Sequence, residues 1–311
     1  MSKRQNQNSL INGWIFLDKP IGVTSNKILQ KVRKLFLNCK AGYVGTLDPM
    51  ASGFLPIALG KATKMIKYLN ESNKEYLFTV EWGVKTSTGD LEGELLEKKK
   101  IFPNKEDIEK KVNSFLGETY QLPPNFSAIK VNGKRAYKLA RLGESFELPK
   151  RKINVIDFKV LKVLSERKTE FLLKCSSGTY VRSLIENLAE SLGTVSHLSS
   201  LRRVGFGNLD KKLISLDSLI SLMHIDKLIG VLNPVDYIFK GKKVISLKNN
   251  EAKSLLDGKH IDISEDINSK YKIDSHNFTL AKYKDKLIVI GNINNGCFFP
   301  KNVMNLNGQK N

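Results

Sequence analysis

Apolar residues recur along the chain at helical spacing in some stretches and in strand-like alternation in others. Helical spacing predicts a helix that begins after Thr24 or Ser25, and three more over residues 62–69, 105–116 and 182–192. Thr24 and Ser25 are residue types that cap helices, and the glycines after residues 116 and 192 are typical helix stops. Short runs of β-branched, aromatic and aliphatic residues predict further strands. These strands are 13–17, 76–82, 154–163 and 170–175.

Glycine and proline interrupt this pattern over residues 42–60, which hold four glycines and two prolines. The interruption predicts a loop-rich stretch. Elsewhere strands and helices alternate without a regular βα repeat. This order favours an α+β domain with a mixed, largely antiparallel sheet.

The composition changes around Asn233-Pro234. Beyond it the pattern predicts one helix, Asn249 to Leu256, and strand-like runs at Phe278–Tyr283 and Leu287–Ile290. We therefore expect a disordered tail over 1–10, a main domain over 11–235 and a small β-rich domain over 241–311.

Charge gives the first indication of function. The 311 residues include 51 Lys+Arg and 31 Asp+Glu, a net charge of +20. Such an excess favours a polyanionic partner, above all nucleic acid. An anionic membrane surface and a dispersed charge that only aids solubility are the alternatives.

Several classes of protein fit the sequence poorly. The three cysteines form no CxxC pair and the four histidines lie far apart, so we expect no metal site. The polar N-terminus lacks the apolar segment of a secretory signal, and no apolar run approaches the roughly 20 residues that span a bilayer. These features predict a cytoplasmic protein that does not enter the membrane.

The most unusual acidic residue is Asp48, which lies within Gly45-Thr46-Leu47-Asp48-Pro49-Met50-Ala51-Ser52-Gly53. A carboxylate among glycines, prolines and apolar residues needs a partner or a chemical role. It is either a turn aspartate that bonds nearby backbone N–H groups or a reactive group.

This segment and other blocks, in order, resemble the TruB family of RNA pseudouridine synthases, the bacterial tRNA pseudouridine-55 synthases. The match runs over about residues 12–207. The matching blocks are Leu17-Asp18-Lys19-Pro20 followed by Gly22-Val23-Thr24-Ser25-Asn26, then Gly60-Lys61-Ala62-Thr63-Lys64, Lys74-Glu75-Tyr76, the long block from Gln121 to Tyr137, Ser177-Gly178-Thr179-Tyr180-Val181-Arg182-Ser183-Leu184, and Leu201-Arg202-Arg203.

The resemblance implies the pseudouridine synthase catalytic fold, followed by a PUA-like RNA-binding domain. It also implies a cofactor-free isomerisation, in which uridine 55 of the tRNA T loop is flipped out and its glycosidic bond is broken. The base is then rejoined through C5. Asp48 matches the essential carboxylate, Arg182 its partner arginine and Tyr76 the tyrosine that stacks on the target base.

The same resemblance implies substrate contacts by Tyr180, Leu201, Lys19 and Asp90. The family often has histidine five residues before the catalytic aspartate, where this chain has Tyr43. Tyrosine keeps an aromatic face for stacking but cannot become a cation near neutral pH. We therefore expect Tyr43 to stack on the flipped-out RNA without an ionic contact to phosphate.

Two other functions remain open from the sequence. The chain could be a non-catalytic tRNA-binding module that kept the fold, or a guide-RNA-dependent synthase of the related archaeal and eukaryotic group. The set Asp48, Tyr76 and Arg182 favours an enzyme over a binder, and the bacterial-type blocks argue against a guide RNA. We expect a monomer that acts on tRNA alone.

Overall fold

The structure is a computed structural model that describes residues 10–263 and 278–304. Eighteen strands form within these residues. They are β1 (Gly13–Lys19), β2 (Ala41–Tyr43), β3 (Ala51–Leu59), β4 (Lys74–Trp82), β5 (Val84–Thr86), β6 (Leu95–Lys98), β7 (Gly117–Gln121), β8 (Lys130–Val131), β9 (Lys134–Arg135), β10 (Arg151–Ser165), β11 (Lys168–Cys175), β12 (Ser196–Phe206), β13 (Ile214–Ser215), β14 (Val244–Ser246), β15 (Ile261–Asp262), β16 (Thr279–Tyr283), β17 (Lys286–Asn294) and β18 (Cys297–Val303).

Seven α-helices accompany the strands in the described ranges. They are α1 (Ser25–Leu35), α2 (Lys105–Asn113), α3 (Ala136–Arg141), α4 (Val181–Ser191), α5 (Leu216–Ser221), α6 (Ile225–Gly230) and α7 (Asn249–Leu256). A 3-10 helix also spans Gly60–Tyr68. In that part of the chain, no helix has the length and apolar character needed to cross a membrane.

A nine-stranded mixed sheet is the centre of the fold. Its order is β13-β1-β3-β12-β4-β11-β10-β7, and β2 also pairs with β3. Only the β1–β13 and β3–β12 pairs are parallel. The sequence prediction of an α+β fold with a mixed, largely antiparallel sheet is therefore confirmed.

The prediction of a loop-rich stretch over residues 42–60 is wrong for Ala51–Leu59, which forms the buried strand β3. Pro56 is tolerated in β3 because β12 pairs only with residues 51–53 of this strand. At Pro56 the carbonyl accepts a hydrogen bond from the Val44 amide instead. Its missing N–H faces that same side and therefore costs no ladder bond. Gly53 fits because β3 approaches β12 so closely that a Cβ there would lie 2.3 Å from the Arg203 carbonyl oxygen.

The helix predicted over residues 62–69 is the 3-10 helix Gly60–Tyr68, and the remaining predicted elements differ at their ends. Thr24 Oγ1 accepts from the Lys27 amide and caps α1, and α7 covers the predicted residues. Helix α2 ends at Asn113, ahead of the prediction, and Gly117 begins β7 instead of ending the helix.

Helices pack against the sheet in two groups. Helices α2 and α4 pack on β4, β10, β11 and β12 around Phe78 and Phe171. Helices α1, α5 and α6 cover one face of β1 and β3, where Ile15 and Leu17 point. Trp14 and Phe16 point to the opposite face, as strand alternation requires.

Five strands near the C-terminus form a second sheet, in the order β14-β16-β17-β18-β15. A β-rich C-terminal region is therefore confirmed, whereas the predicted boundary and its PUA-like, RNA-binding character stay predictions. Leu280 and Met304 of this region are buried in the same cluster as Trp14 and Phe16, so the two sheets share apolar core. Residues 1–9 of the predicted tail, and residues 264–277 and 305–311, lie outside the described residues.

Candidate active site

Asp48 lies in the loop that joins β2 to β3, and two buried side chains hold the backbone on either side of it. Before it, the Ser25 hydroxyl donates to the Leu47 carbonyl and accepts from the Leu47 amide, both at 2.9 Å. After it, Lys19 Nζ donates to the Ala51 carbonyl at 2.6 Å. Ser25 and Lys19 therefore fix the position of the Asp48 backbone.

An ion pair then fixes the Asp48 side chain. Its Oδ2 lies 2.7 Å from Arg182 Nη2, and the arginine side chain is 6% exposed whereas the carboxylate is 38% exposed. The guanidinium also donates to the carbonyls of Thr88 and Phe126, both at 3.0 Å. Because three acceptors hold the fork in one orientation, the carboxylate is aimed while part of it stays open.

Asp90 is a second carboxylate beside this arginine, and it also holds the turn that contacts it. Its Oδ2 is 3.9 Å from Arg182 Nε, and its Oδ1 accepts from the Thr88 hydroxyl and the Glu92 amide. Burial, and then the charges of Asp90 and Asp48, raise the pKa of Glu92. Asp90 thus stabilises the turn that presents the Thr88 carbonyl to Arg182.

A cavity of about 240 Å³ opens beside the ion pair. Its lining includes five of the eight predicted site residues, namely Asp48, Tyr76, Tyr180, Arg182 and Leu201. The cavity is smaller than the roughly 300–1,000 Å³ of sites that enclose a whole small ligand, and it suits a single base. Long-range pairing brings these residues together, since β12 lies between β3 and β4.

Two phenols contribute to this lining. Tyr76 on β4 is 8% exposed, and burial raises its pKa. Burial also raises the pKa of Tyr180, whose backbone bonds the Gln121 side chain in both directions at the start of α4. Both hydroxyls are therefore protonated at neutral pH in the free protein.

Lys19 and Tyr43 lie outside the cavity lining. Lys19 is fully buried under the Asp48 loop, where desolvation lowers its pKa to about 8. Tyr43 pairs with Ile57 across β2 and β3 and packs on the core beside α1. Substrate contact by either residue stays a prediction.

Comparisons with known proteins agree with this geometry. A family model described as "TruB family pseudouridylate synthase (N terminal domain)" matches residues 33–181. A curated protein of Ehrlichia ruminantium, "tRNA pseudouridine synthase B", is 38% identical over 94% of this chain and 99% of its own length. The chain belongs to the TruB family of pseudouridylate synthases.

A second relative of the same name supports this membership. The "tRNA pseudouridine synthase B" of Caulobacter vibrioides is 40% identical over 83% of this chain and 84% of its own length. The sequence prediction of a TruB-type enzyme is therefore confirmed.

Solved structures show that the fold extends beyond close relatives. "Crystal Structure of a Cbf5-Nop10-Gar1 Complex" contains a chain that matches with a TM-score of 0.69. It covers 97% of this chain and 87% of its own, at 23% identity. "Structure of H/ACA RNP bound to a substrate RNA containing 2'-deoxyuridine" matches with the same score at 22% identity. These likenesses concern the fold of this TruB-family chain.

The sequence prediction missed three buried polar residues that line the cavity, namely Lys74, Ser127 and Arg203. Arg203 could have been found, because alternate residues of a strand point to the same face and Leu201 was already assigned to the site. Lys74 could have been found in the same way, because it is two residues from Tyr76 on β4 and points to the same face. Ser127 lies in the loop between β7 and β8, where no periodicity reports which way a side chain points.

Proposed function

We propose that this chain converts uridine 55 in the T loop of tRNA to pseudouridine. The glycosidic bond between N1 and C1′ breaks, the base turns, and a new bond joins C5 to C1′. The observation that carries the proposal is the buried Arg182 holding the partly open Asp48 carboxylate against a base-sized cavity. Family membership and the names of the two relatives give the proposed substrate class.

Asp48 is the essential carboxylate in this proposal. The adjacent guanidinium orients the carboxylate and directs its oxygen into the cavity. The ionised oxygen either attacks C1′ or assists loss of the C2′ proton, and both routes begin from the same position.

The rest of the cavity receives the flipped base. Tyr76 presents an aromatic ring for stacking, Leu201 closes the pocket against water, and Tyr180 borders the ion pair. The isomerisation leaves the composition of the nucleotide unchanged, since C5 loses its proton to solvent and N1 gains one. We propose that no cofactor takes part.

Flipping a base out of a folded loop costs a few kcal/mol. Contacts with the remainder of the tRNA offset that cost. The net charge of +20 supplies cations for such phosphate contacts. Tyr43 is proposed to stack on the flipped-out segment, and the C-terminal sheet to contact the tRNA.

Mapping the modified position tests the proposal. The chain is incubated with a tRNA transcript without guide RNA or metal, and pseudouridine is located by carbodiimide adducts that stop reverse transcription. We expect a stop at position 55 only, and none in a matched transcript that carries cytidine there. Tight tRNA binding without any stop would favour the binding module, and a stop that requires added guide RNA would favour a guided synthase.

A further inference from the structure

Two buried cations border the cavity besides Arg182. Arg203 on β12 is 1% exposed and Lys74 on β4 is 5% exposed. Among the described residues, no carboxylate lies within salt-bridge distance of the Arg203 guanidinium, whereas Arg182 has Asp48. A buried charge without an opposite charge is costly, so the groups that do surround Arg203 show what it holds.

Backbone carbonyls compensate part of the Arg203 charge. Its Nε donates to the Phe54 carbonyl at 2.7 Å, and its Nη2 donates to the Gly45 carbonyl at 2.8 Å. The Phe206 ring adds a cation–π contact at 5.0 Å. Arg203 thus joins β12 to β3 and to the start of the Asp48 loop.

The Arg203 guanidinium packs so closely against Gly45 that a larger residue there would contact it. A Cβ on this residue would lie 2.9 Å from Arg203 Nη1, and its φ of +68° also disfavours other residues. The guanidinium therefore has one available position, next to the cavity.

Tyr76 lies directly opposite Arg203 in the β12–β4 register, and both side chains line the cavity. An arginine can only donate, so a hydrogen bond between these two side chains makes the phenolic oxygen the acceptor. The hydroxyl proton of Tyr76 is then directed away from Arg203, which leaves it free to meet a group in the cavity.

We propose that Arg203 is a positioning residue that orients the Tyr76 hydroxyl in the cavity and holds a positive charge beside its oxygen. The effect on turnover rests on the proposed function, whereas the effect on the phenol belongs to the free protein. Sequence similarity gave Tyr76 its place, but neither the motif nor the relatives' names assign a task to Arg203.

The charges around Tyr76 set the sign of the effect. Burial raises its pKa, the Arg203 cation lowers it, and the facing groups Cys175 and Asp48 raise it. Lys74 lies on the same strand, and its pKa and that of Arg203 are both lowered by burial. Removal of the Arg203 charge therefore raises the pKa of Tyr76.

Tyrosine NMR tests this in the free, full-length chain. The ¹³Cζ signal of Tyr76 is assigned by its loss in Tyr76→Phe and followed as the pH is raised. In Arg203→Met it should move toward the phenolate position at a higher pH than in wild type. Arg202→Met is the matched control, since it removes an equal charge from a neighbour that pairs with Asp18. It should leave the Tyr76 titration unchanged.

Two outcomes would overturn the proposal: an unchanged Tyr76 titration in Arg203→Met, or an equal shift in Arg202→Met. If Arg203→Met does not fold, Arg203→Gln takes its place, because its amide can still donate to a carbonyl. Arg203→Lys keeps the charge and should titrate as wild type does.

Single-turnover kinetics add a second readout. In the wild-type background, Arg203→Lys should slow turnover at least about tenfold with tRNA affinity unchanged, because an ammonium cannot hold three acceptors in the fork geometry. In the Tyr76→Phe background, the same substitution should cost little more. Equal losses in both backgrounds would show that Arg203 does not act through Tyr76. Absence of turnover in wild type would instead count against the proposed function and leave the NMR test standing.

Discussion

Arg182 meets both Asp48 and the Phe126 carbonyl through Nη2 and the Thr88 carbonyl through Nη1, and a lysine cannot reproduce this pattern. We expect Arg182→Lys to lower the single-turnover rate by about 10²-fold or more, since it loses a preorganised donor at the reacting carboxylate. Affinity for tRNA should change little, because Arg182 is buried. Arg167→Lys, at the β10–β11 turn, is the control and should turn over at the wild-type rate. Equal rates for Arg182→Lys and wild type would remove Arg182 from the chemistry.

Lys74 gives a prediction of pH dependence. Desolvation lowers its pKa from 10.5 to about 8 in the folded chain. Between those values the unfolded chain holds a proton that the folded chain has lost, so the Lys74 contribution to the free energy of unfolding rises with pH. Urea titrations from pH 7 to 10 should show wild type gaining stability relative to Lys74→Met above pH 8. A constant difference in the free energy of unfolding between the two proteins across this range would contradict a lowered Lys74 pKa in the folded chain.

Motif similarity predicted five of the cavity residues, because each of the five stands inside a recognisable block. Arg203 stood in such a block as well, but its task depends on Gly45, Phe54 and Tyr76. Phe54 and Gly45, whose carbonyls accept from Arg203, lie 149 and 158 residues before it in the sequence. No local pattern reports contacts at that distance.

Among the elements, the Asp48 loop owes its position to the segment between β1 and α1. Ser25→Ala would leave both buried Leu47 backbone groups without their partner, at a cost of about 1–3 kcal/mol in the free energy of unfolding for each unsatisfied group. We expect turnover to fall as well, because Asp48 follows directly.

Thr24→Ala is the matched control for this prediction. It removes only the α1 cap, so it should cost about 1 kcal/mol and leave turnover unchanged. Urea unfolding and single-turnover rates measure both effects. A Ser25→Ala protein with the wild-type rate would show that the clamp does not position Asp48.

The strand β3 shows the limit of prediction at the level of elements. Glycine and proline are sound signals of a loop when only neighbours in sequence are considered. Here β1 and β12 supply hydrogen-bonding partners for β3, and Gly53 permits the close approach of β12 to β3. Tertiary contact therefore outweighed local preference.

At the scale of the whole molecule, the two sheets are joined by an aromatic cluster. The Tyr68 ring lies 5.2 Å from Phe239 and 4.8 Å from Phe278, and Lys282 pairs with Asp236. The sequence predicted two units but not this junction, because its members are far apart along the chain.

A shared core predicts shared unfolding. Calorimetry should show one transition that includes the C-terminal sheet, and Phe239→Ala should destabilise the whole by about 3–5 kcal/mol. Phe299→Ala is the control, because that ring lies on β18 of the C-terminal sheet, is 43% exposed and should cost much less. A separate transition for the C-terminal sheet would contradict this junction.

The central claim is that Asp48 is the essential carboxylate of a cofactor-free pseudouridine synthase. The most direct test is tritium release from a tRNA transcript labelled at uridine C5, without metal or guide RNA. C5 loses its hydrogen only when the new carbon–carbon bond forms there. We predict release by wild type, and none by Asp48→Asn, which keeps the shape of the side chain but not its charge. Release by Asp48→Asn at the wild-type rate, or by neither protein while both bind tRNA, would contradict the account.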